Sequence, residues 1–343
     1  MRHCILTAIA LATWALSPAA AFEIEEETRF GTTSAPTAVL RILSTADTEL
    51  FAPLIRGFQR TNPQTEVQYI TASSTEIMTA IIAEKQKFDL VVSSAMDLQT
   101  KLANDGFAVP FVSTATDLVP DWGKWRDSVF AFTQEPATLV LSVDAFAGRA
   151  LPKSRQELLD ILRENPDEFA GRVGTYDVRA SGLGYLFATQ DSRISETFWR
   201  MSEVFGALGV KLYCCSSDMI DDVSTGRIAV AYNALGSYAR ARDDLADRIH
   251  IVEPEDFTTV MLRSVVMLNA DSLPAERFLD HLLTQAWSPA AATEFPFPNP
   301  TPETDPDVSK FRPIRLGPGL LVFLDRFKRA QFLEAWEDAV LQK

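Results

Sequence analysis

Cysteine and histidine are scarce in this chain, with three of each in 343 residues. His250 and His281 show no metal-ligand spacing to each other or to the cysteines. No serine or cysteine nucleophile motif and no paired-carboxylate signature accompanies them. A catalytic centre, a metal site and a cofactor are therefore not expected, and an exported enzyme is the weakest of the functional classes considered. Positive charge is also in deficit: 32 Lys and Arg face 46 Asp and Glu, a formal net charge of −14 with no basic block. That speaks against nucleic acid or an anionic membrane as partner, while leaving room for one locally positive pocket. No apolar run after the first 16 residues is long enough to span a bilayer, which takes about 20 residues.

The N-terminus reads as a secretory signal peptide over residues 1–21. Arg2 and His3 form the basic start, residues 4–16 the apolar core, and Ser17-Pro18-Ala19-Ala20-Ala21 the small-residue cleavage site. Cys4 precedes the apolar core, so it is not placed for lipid attachment. A periplasmic location follows. Of the cysteines only Cys214 and Cys215 remain after cleavage. Adjacent Cα atoms lie about 3.8 Å apart, closer than disulfides usually span, so two packed thiols is the simpler reading and a strained vicinal disulfide the alternative. The mature length is about twice a common domain, which predicts two domains.

Residues 22–37 are acidic and aperiodic and read as a flexible lead-in. Three strand–hydroxyl turn–helix units follow. The first is residues 38–43, then Ser44 and Thr45, then a helix over 49–59 with Pro53 in its first turn. The second is residues 66–70, then Ser73, Ser74 and Thr75, with Ser73 and Glu76 at capping-box spacing. The third is residues 88–92, then Ser93 and Ser94, then a helix over 96–104. Such a succession predicts a parallel sheet with covering helices, with a ligand crevice at the carboxyl ends of the strands. Trp122, Trp125, Phe130 and Phe132 read as packing. Further strands are expected at 137–143, 210–213, 226–232, 249–252 and 264–268, and helices at 156–163, 194–208, 217–225, 274–287 and 320–341. Residues 289–313 are Pro-rich and read as a surface excursion.

Residues 173–185 carry the strongest functional signal. A short apolar strand leads to Arg179 and then to Ser181-Gly182-Leu183-Gly184 at a helix start. The first turn of a helix has unpaired N–H groups and the positive end of the dipole, so this turn suits an anion, with Arg179 as a two-pronged guanidinium contact. Plain helix capping by Ser181, with Arg179 solvated, is the competing reading.

The order of these pieces resembles the type II periplasmic solute-binding proteins of ABC importers, in the ferric-iron-type branch that includes phosphoglycerate receptors. The resemblance rests on Leu40-Arg-Ile-Leu-Ser-Thr45, Phe88-Asp-Leu-Val-Val-Ser-Ser94, Ala137-Thr-Leu-Val-Leu-Ser-Val-Asp144, Gly226-Arg-Ile-Ala-Val-Ala-Tyr232 and Phe311-Arg-Pro-Ile-Arg-Leu-Gly-Pro-Gly319. It implies an α/β fold of two lobes, each a mainly parallel sheet flanked by helices, joined by a hinge. Lobe 1 would hold residues 38–135 plus 260–343, and lobe 2 residues 137–257. Iron-binding members carry adjacent tyrosines after an Asn, where this chain reads Asn233-Ala234-Leu235, so no metal is expected. The anion half of the site is retained in Ser181, Gly182, Leu183 and Asn233. The resemblance thus implies a monomeric importer component that captures a small anionic solute, such as an organophosphate, in the cleft and delivers it to an inner-membrane permease. Arg179 is the main contact, with Tyr232, Ser44, Thr45, Ser73, Ser74, Thr75, Ser93 and Ser94 as further candidates. A ferric-iron binder and a ligand-sensing accessory of a membrane sensor kinase are the alternatives.

Overall fold

The computed structural model describes residues 22–32, 35–288, 295–297, 300 and 310–342. The leader and most of the Pro-rich excursion lie outside them. The described elements are, in chain order, β1 Glu26–Phe30, β2 Ala38–Ser44, α1 Thr48–Thr61, β3 Thr65–Thr71, α2 Ser74–Met78, β4 Leu90–Ser93, α3 Met96–Asn104, β5 Lys124–Trp125, β6 Val129–Ala131 and β7 Glu135–Ser142. There follow α4 Arg155–Glu164, α5 Pro166–Phe169, β8 Val173–Tyr176, α6 Gly182–Ile194, α7 Thr197–Ala207, β9 Lys211–Tyr213, α8 Ser216–Ser224, β10 Val230–Leu235 and α9 Gly236–Arg240. The last are β11 Ile249–Val252, β12 Thr258–Met261, β13 Ser264–Met267, α10 Leu273–Trp287, β14 Phe311–Pro313 and α11 Arg326–Leu341.

These strands form two sheets. The first has the order β1-β3-β2-β4-β13-β6-β5, with β3, β2 and β4 parallel and β1 and β13 antiparallel to their neighbours. The second has the order β14-β12-β7-β10-β8-β9, with β11 also paired to β7. The fold is α/β, two sheets flanked by helices. The periodic apolar positions explain the packing: Phe51, Leu54, Ile55 and Phe58 of α1 are fully buried and meet Phe278 of α10 and Tyr69 of β3 in one aromatic cluster. Phe130 and Phe132 belong to that core, and Trp122 packs edge-on against Trp287.

Several expectations are corrected. Residues 22–37 are not simply a flexible lead-in, because Glu26–Phe30 adds an antiparallel edge strand to β3. Its open alternation of exposed and half-buried side chains carries no helical or core signal, which is why composition alone misreads it. Helix α1 starts at Thr48, so Pro53 stands in its second turn on the exposed face, where the carbonyl left without an N–H is open to water. The segment from 260 onward does not all join the first sheet. β13 and α10 do, but β14 pairs with β12, and α11 buries Phe332 and Trp336 against Tyr185 and Phe198 of α6 and α7. Strand β10 begins four residues later than the apolar run suggests and continues through Tyr232-Asn233-Ala234-Leu235.

One glycine of the Ser-Gly-Leu-Gly run is explained by packing. A Cβ on Gly184 would lie 2.2 Å from Cβ of Tyr176, so α6 can lie on β8 only with glycine there. Gly184→Ala is expected to destabilise the protein by about 1–3 kcal/mol, seen as a lower urea midpoint at unchanged m-value. Asp97 in α3 is fully buried and accepts one N–H, from Leu98 at 2.9 Å. Burial pushes its carboxyl up to about 7. The folded protein therefore holds a proton that the unfolded chain releases near pH 4, so this group costs stability increasingly as pH rises from there to about 7. Asp97→Asn should melt above the parent at about pH 8 and lose that advantage at about pH 4.

Candidate functional site

Of the passes the chain makes between the sheets, two are adjacent, from β6 to β7 and from β12 back to β13, and a later one leads from α10 to β14. A buried ion pair sits where the two adjacent passes touch. Arg263 donates from Nε to Glu135 Oε1 at 2.9 Å and from Nη2 to Oε2 at 3.3 Å. Thr133 Oγ1 donates to Glu135 Oε1 at 2.8 Å and accepts from the Arg263 N–H at 3.1 Å, and the Ser237 hydroxyl also donates to Glu135. Both side chains are essentially inaccessible, at 1% and 0%. Nη1 of Arg263 has no partner among the described residues.

Arg263 also lines a cavity of about 60 Å³ between the sheets. From the first sheet come the hydroxyl turns at the carboxyl ends of the parallel strands: Thr45 after β2, Ser73 and Ser74 after β3, and Ser94 after β4. From the second come Tyr176 at the end of β8, Ser181 and Leu183 at the start of α6, and Cys214 to Ser217 at the start of α8. Helix α8 has Cys215 as its N-cap with no side-chain hydrogen bond, so its first N–H groups lack an internal partner, and Cys215, Ser216 and Ser217 line this cavity. Hydrogen bonds cross the cleft at three points. Ser74 Oγ accepts from Gly182 N at 2.8 Å, Thr75 Oγ1 donates to the Ala180 carbonyl at 2.9 Å, and Ser217 Oγ donates to Asp47 Oδ2 at 3.1 Å.

Glu25 and Asp47 complete the wall at the mouth, with their side chains open to solvent on one side. The surrounding protein mass first, and then their own and Asp218's negative charges, hold Glu25 above the usual carboxylate range; Asp47 is raised mainly by the same desolvation. A second cavity of about 270 Å³ continues outward and shares Asp47, Ser217 and Tyr238 with the first. Cys214 and Cys215 are joined as a disulfide in the inner wall, so the vicinal bridge, and not the pair of packed thiols, is what the structure shows.

Of the residues singled out in the sequence, Thr45, Ser73, Ser74, Ser94, Ser181 and Leu183 line the cavity, and Gly182 and Thr75 bridge its edge. Ser44 and Ser93 do not line it. Each closes its own turn, Ser44 Oγ accepting from Ala46 N and Tyr69 Oη, and Ser93 Oγ from Ala95 N. Arg179 lies outside the cavity. Its guanidinium is held by both oxygens of Asp177 at 2.8 and 2.6 Å, with Glu337 and the Trp336 ring of α11 beyond. An acid two residues away was the signal against it, since Asp177 answers the same two-pronged geometry as a ligand would. Tyr232 and Asn233 also lie elsewhere, in a buried polar cluster. Asp191 accepts from Asn233 Nδ2 at 2.8 Å and from Thr259 Oγ1 at 2.8 Å, and Tyr232 Oη accepts from Arg155 Nε at 2.8 Å. Asn233 has φ of 60° at an irregularity between β10 and β7, a left-handed position that Asn tolerates, so its identity is a backbone matter. Arg263, Asp47, Tyr238 and the α8 turn were missed, because nothing local marks Leu262-Arg263-Ser264 as a meeting point of two chain passes.

The chain belongs to the bacterial extracellular solute-binding proteins, whose family model matches residues 40–292. The substrate binding protein of an ABC transporter from Agrobacterium tumefaciens is similar over 92% of this chain and 98% of its own, at 34% identity and a TM-score of 0.82. The periplasmic binding protein AfuA from Actinobacillus pleuropneumoniae, solved with exogenous fructose-6-phosphate, matches over 89% of this chain and 99% of its own at 15% identity and TM-score 0.71, a likeness of fold. The probable ABC transporter periplasmic-binding protein y4fP of Sinorhizobium fredii is 25% identical over 227 residues, 63% of this chain and 62% of that relative, so the match spans about three fifths of its length. Among the described residues no helix is long and apolar enough to cross a membrane.

Gly182 differs from Gly184 in what it faces. A Cβ there would lie 2.5 Å from Ser74 Oγ and 2.9 Å from Leu98 Cδ1, both across the cleft. Gly182→Ala is expected to push the two sheets apart, giving a larger radius of gyration in small-angle scattering, while the urea midpoint moves by less than about 0.5 kcal/mol equivalent.

Proposed function

We propose that this protein is the periplasmic solute-binding component of an ABC importer, and that it takes up a small solute bearing an oxyanion group, phosphate or carboxylate, in the cleft between its sheets. The observation that carries the oxyanion reading is Arg263, a buried guanidinium with Nη1 unpartnered among the described residues, on a cavity whose wall also holds several hydroxyls and the start of α8, with Glu25 and Asp47 at its mouth. A guanidinium edge, a helix N-terminus and hydroxyl donors together make the donor set an oxyanion requires. The inner cavity measures about 60 Å³. That suits a phosphate-sized head group, with the remainder of the solute extending into the outer cavity.

Closure about the two chain passes fits the cross-cleft bonds of Ser74, Thr75 and Ser217, each of which joins one lobe to the other. The lobes we propose are the first sheet with β13 and α10, and the second with β14 and α11. The protein would act as an exported monomer that presents its closed form to a membrane permease. A ferric ion is less well served: Tyr176 Oη is hydrogen-bonded to Ser216 Oγ at 2.5 Å, and no adjacent tyrosine pair faces the cavity. The names of the Agrobacterium and Sinorhizobium relatives support transport, and the sugar phosphate bound to AfuA is compatible with the ligand class.

The test is a thermal-shift screen of the mature protein against organophosphates, inorganic phosphate, citrate and ferric iron. A ligand at 100 times its Kd adds about 2.7 kcal/mol to the folded state. The double variant Glu135→Gln, Arg263→Met removes the buried pair as a unit, which spares the fold the cost of a single orphaned charge. It should fold and lose about 2 kcal/mol or more of oxyanion affinity. A protein that responds to ferric iron and to no oxyanion would overturn the ligand class.

A further inference from the structure

The charges around the cleft do not match a purely anionic solute. Glu25 and Asp47 line the inner cavity, Asp47 and Glu49 the outer one, and Asp218 stands close enough to Glu25 and Asp47 to influence both. The cations on the same walls are already engaged. Arg263 is paired with Glu135, and Arg242 in the outer cavity binds Asp221 and Asp244 at 2.8 and 2.9 Å. An oxyanion entering through this mouth passes the carboxylates of Asp47 and Glu25 before it reaches Arg263.

Asp47 has a particular place in this arrangement. It lies at the junction of the two cavities, together with Ser217 and Tyr238. Its Oδ2 accepts from Ser217 across the cleft, and among the described residues no lysine or arginine forms an ion pair with its carboxylate. Asp47 and Arg263 line the same inner cavity and feel each other's charge, so a group attached to an oxyanion held at Arg263 lies near Asp47. The complementary group is a cation, and the aromatic ring of Tyr238 in the same wall offers a second attraction to it.

We propose that the natural solute is zwitterionic, a small molecule with an ammonium group a short chain away from its oxyanion. The oxyanion sits against Arg263 and the α8 turn, and the ammonium sits between Asp47 and Glu25 at the cavity junction. This rests on the oxyanion reading above and adds the second charge. It also accounts for a cleft that keeps a partly unpaired guanidinium and unpaired carboxylates in one chamber: each would attract the end of the solute that the other repels. A phosphate and a carboxylate share the oxyanion chemistry, so both head groups belong in the test.

Isothermal titration of the mature protein with four probes decides the matter: O-phosphoethanolamine, ethyl phosphate, β-alanine and ethanolamine. The expected result is that O-phosphoethanolamine or β-alanine binds at least tenfold tighter than ethyl phosphate and ethanolamine. Asp47→Asn should cut that preference to under threefold, by weakening the zwitterion and strengthening ethyl phosphate. Glu25→Gln should act in the same direction and serves if Asp47→Asn fails to fold. Equal or tighter binding of ethyl phosphate by the parent overturns the zwitterion and leaves the oxyanion reading standing. Ethanolamine binding as tightly as O-phosphoethanolamine overturns the oxyanion reading instead. Silence from all four probes, or a preference untouched by both substitutions, overturns the proposal.

Discussion

The arrangement of this molecule depends on the buried pair between Arg263 and Glu135. Two stretches of chain pass side by side between the sheets, and the pair ties Glu135 at the start of β7 to Arg263 in the short link between β12 and β13. A buried ion pair adds little net stability over apolar side chains of the same shape, whereas removing one partner costs about 3–5 kcal/mol. Such a pair therefore contributes position more than stability. Thr133 and Ser237 also donate to Glu135, which fixes the Arg263 guanidinium with Nη1 left without a partner among the described residues. The same residue thus orders the crossing and supplies the cleft with its only buried cation among the described lining residues.

Around that crossing the two halves of the cleft are built by one device used repeatedly. Strands β2, β3 and β4 end in hydroxyl turns that lead into helices, and β8 and β9 do the same on the other side. Parallel strands with helical connections bring their carboxyl ends to one edge, so these turns converge without any contact in sequence. Hydroxyls in the first turn of a helix in one lobe are within reach of the other, as Ser74 shows by accepting from Gly182. The acidic mouth and the single guanidinium then divide the chamber into regions of opposite preference.

Within Ser181-Gly182-Leu183-Gly184 the two glycines answer to different neighbours. Gly184 is required by Tyr176 inside its own lobe, and Gly182 by Ser74 and Leu98 across the cleft. Ser181 does cap α6, accepting from Gly184 N at 3.2 Å, and it lines the cavity as well. Capping and site-building are here the same placement seen from two sides. Arg179, two residues earlier, follows a different course because Asp177 and α11 hold it on the outer surface.

The sequence by itself determined the α/β class, most helices and strands, the family, and the hydroxyl turns that wall the cleft, because periodicity and turn chemistry are local properties. Helix α3 and the Ser73 cap with its N–H donor Glu76 stand where the pattern puts them. What only the tertiary structure decided was which charges face the solute. Arg179 and Asn233 carry strong local signals, yet an aspartate beside one and a left-handed backbone at the other use those signals elsewhere. Arg263, Asp47 and Glu25 carry no local signal. They become neighbours through pairings across more than one hundred positions of chain, and through an edge strand β1 whose only mark is that β3 has a free side for it. Charge in a cleft is set by which distant segments meet, and that is a property of the fold.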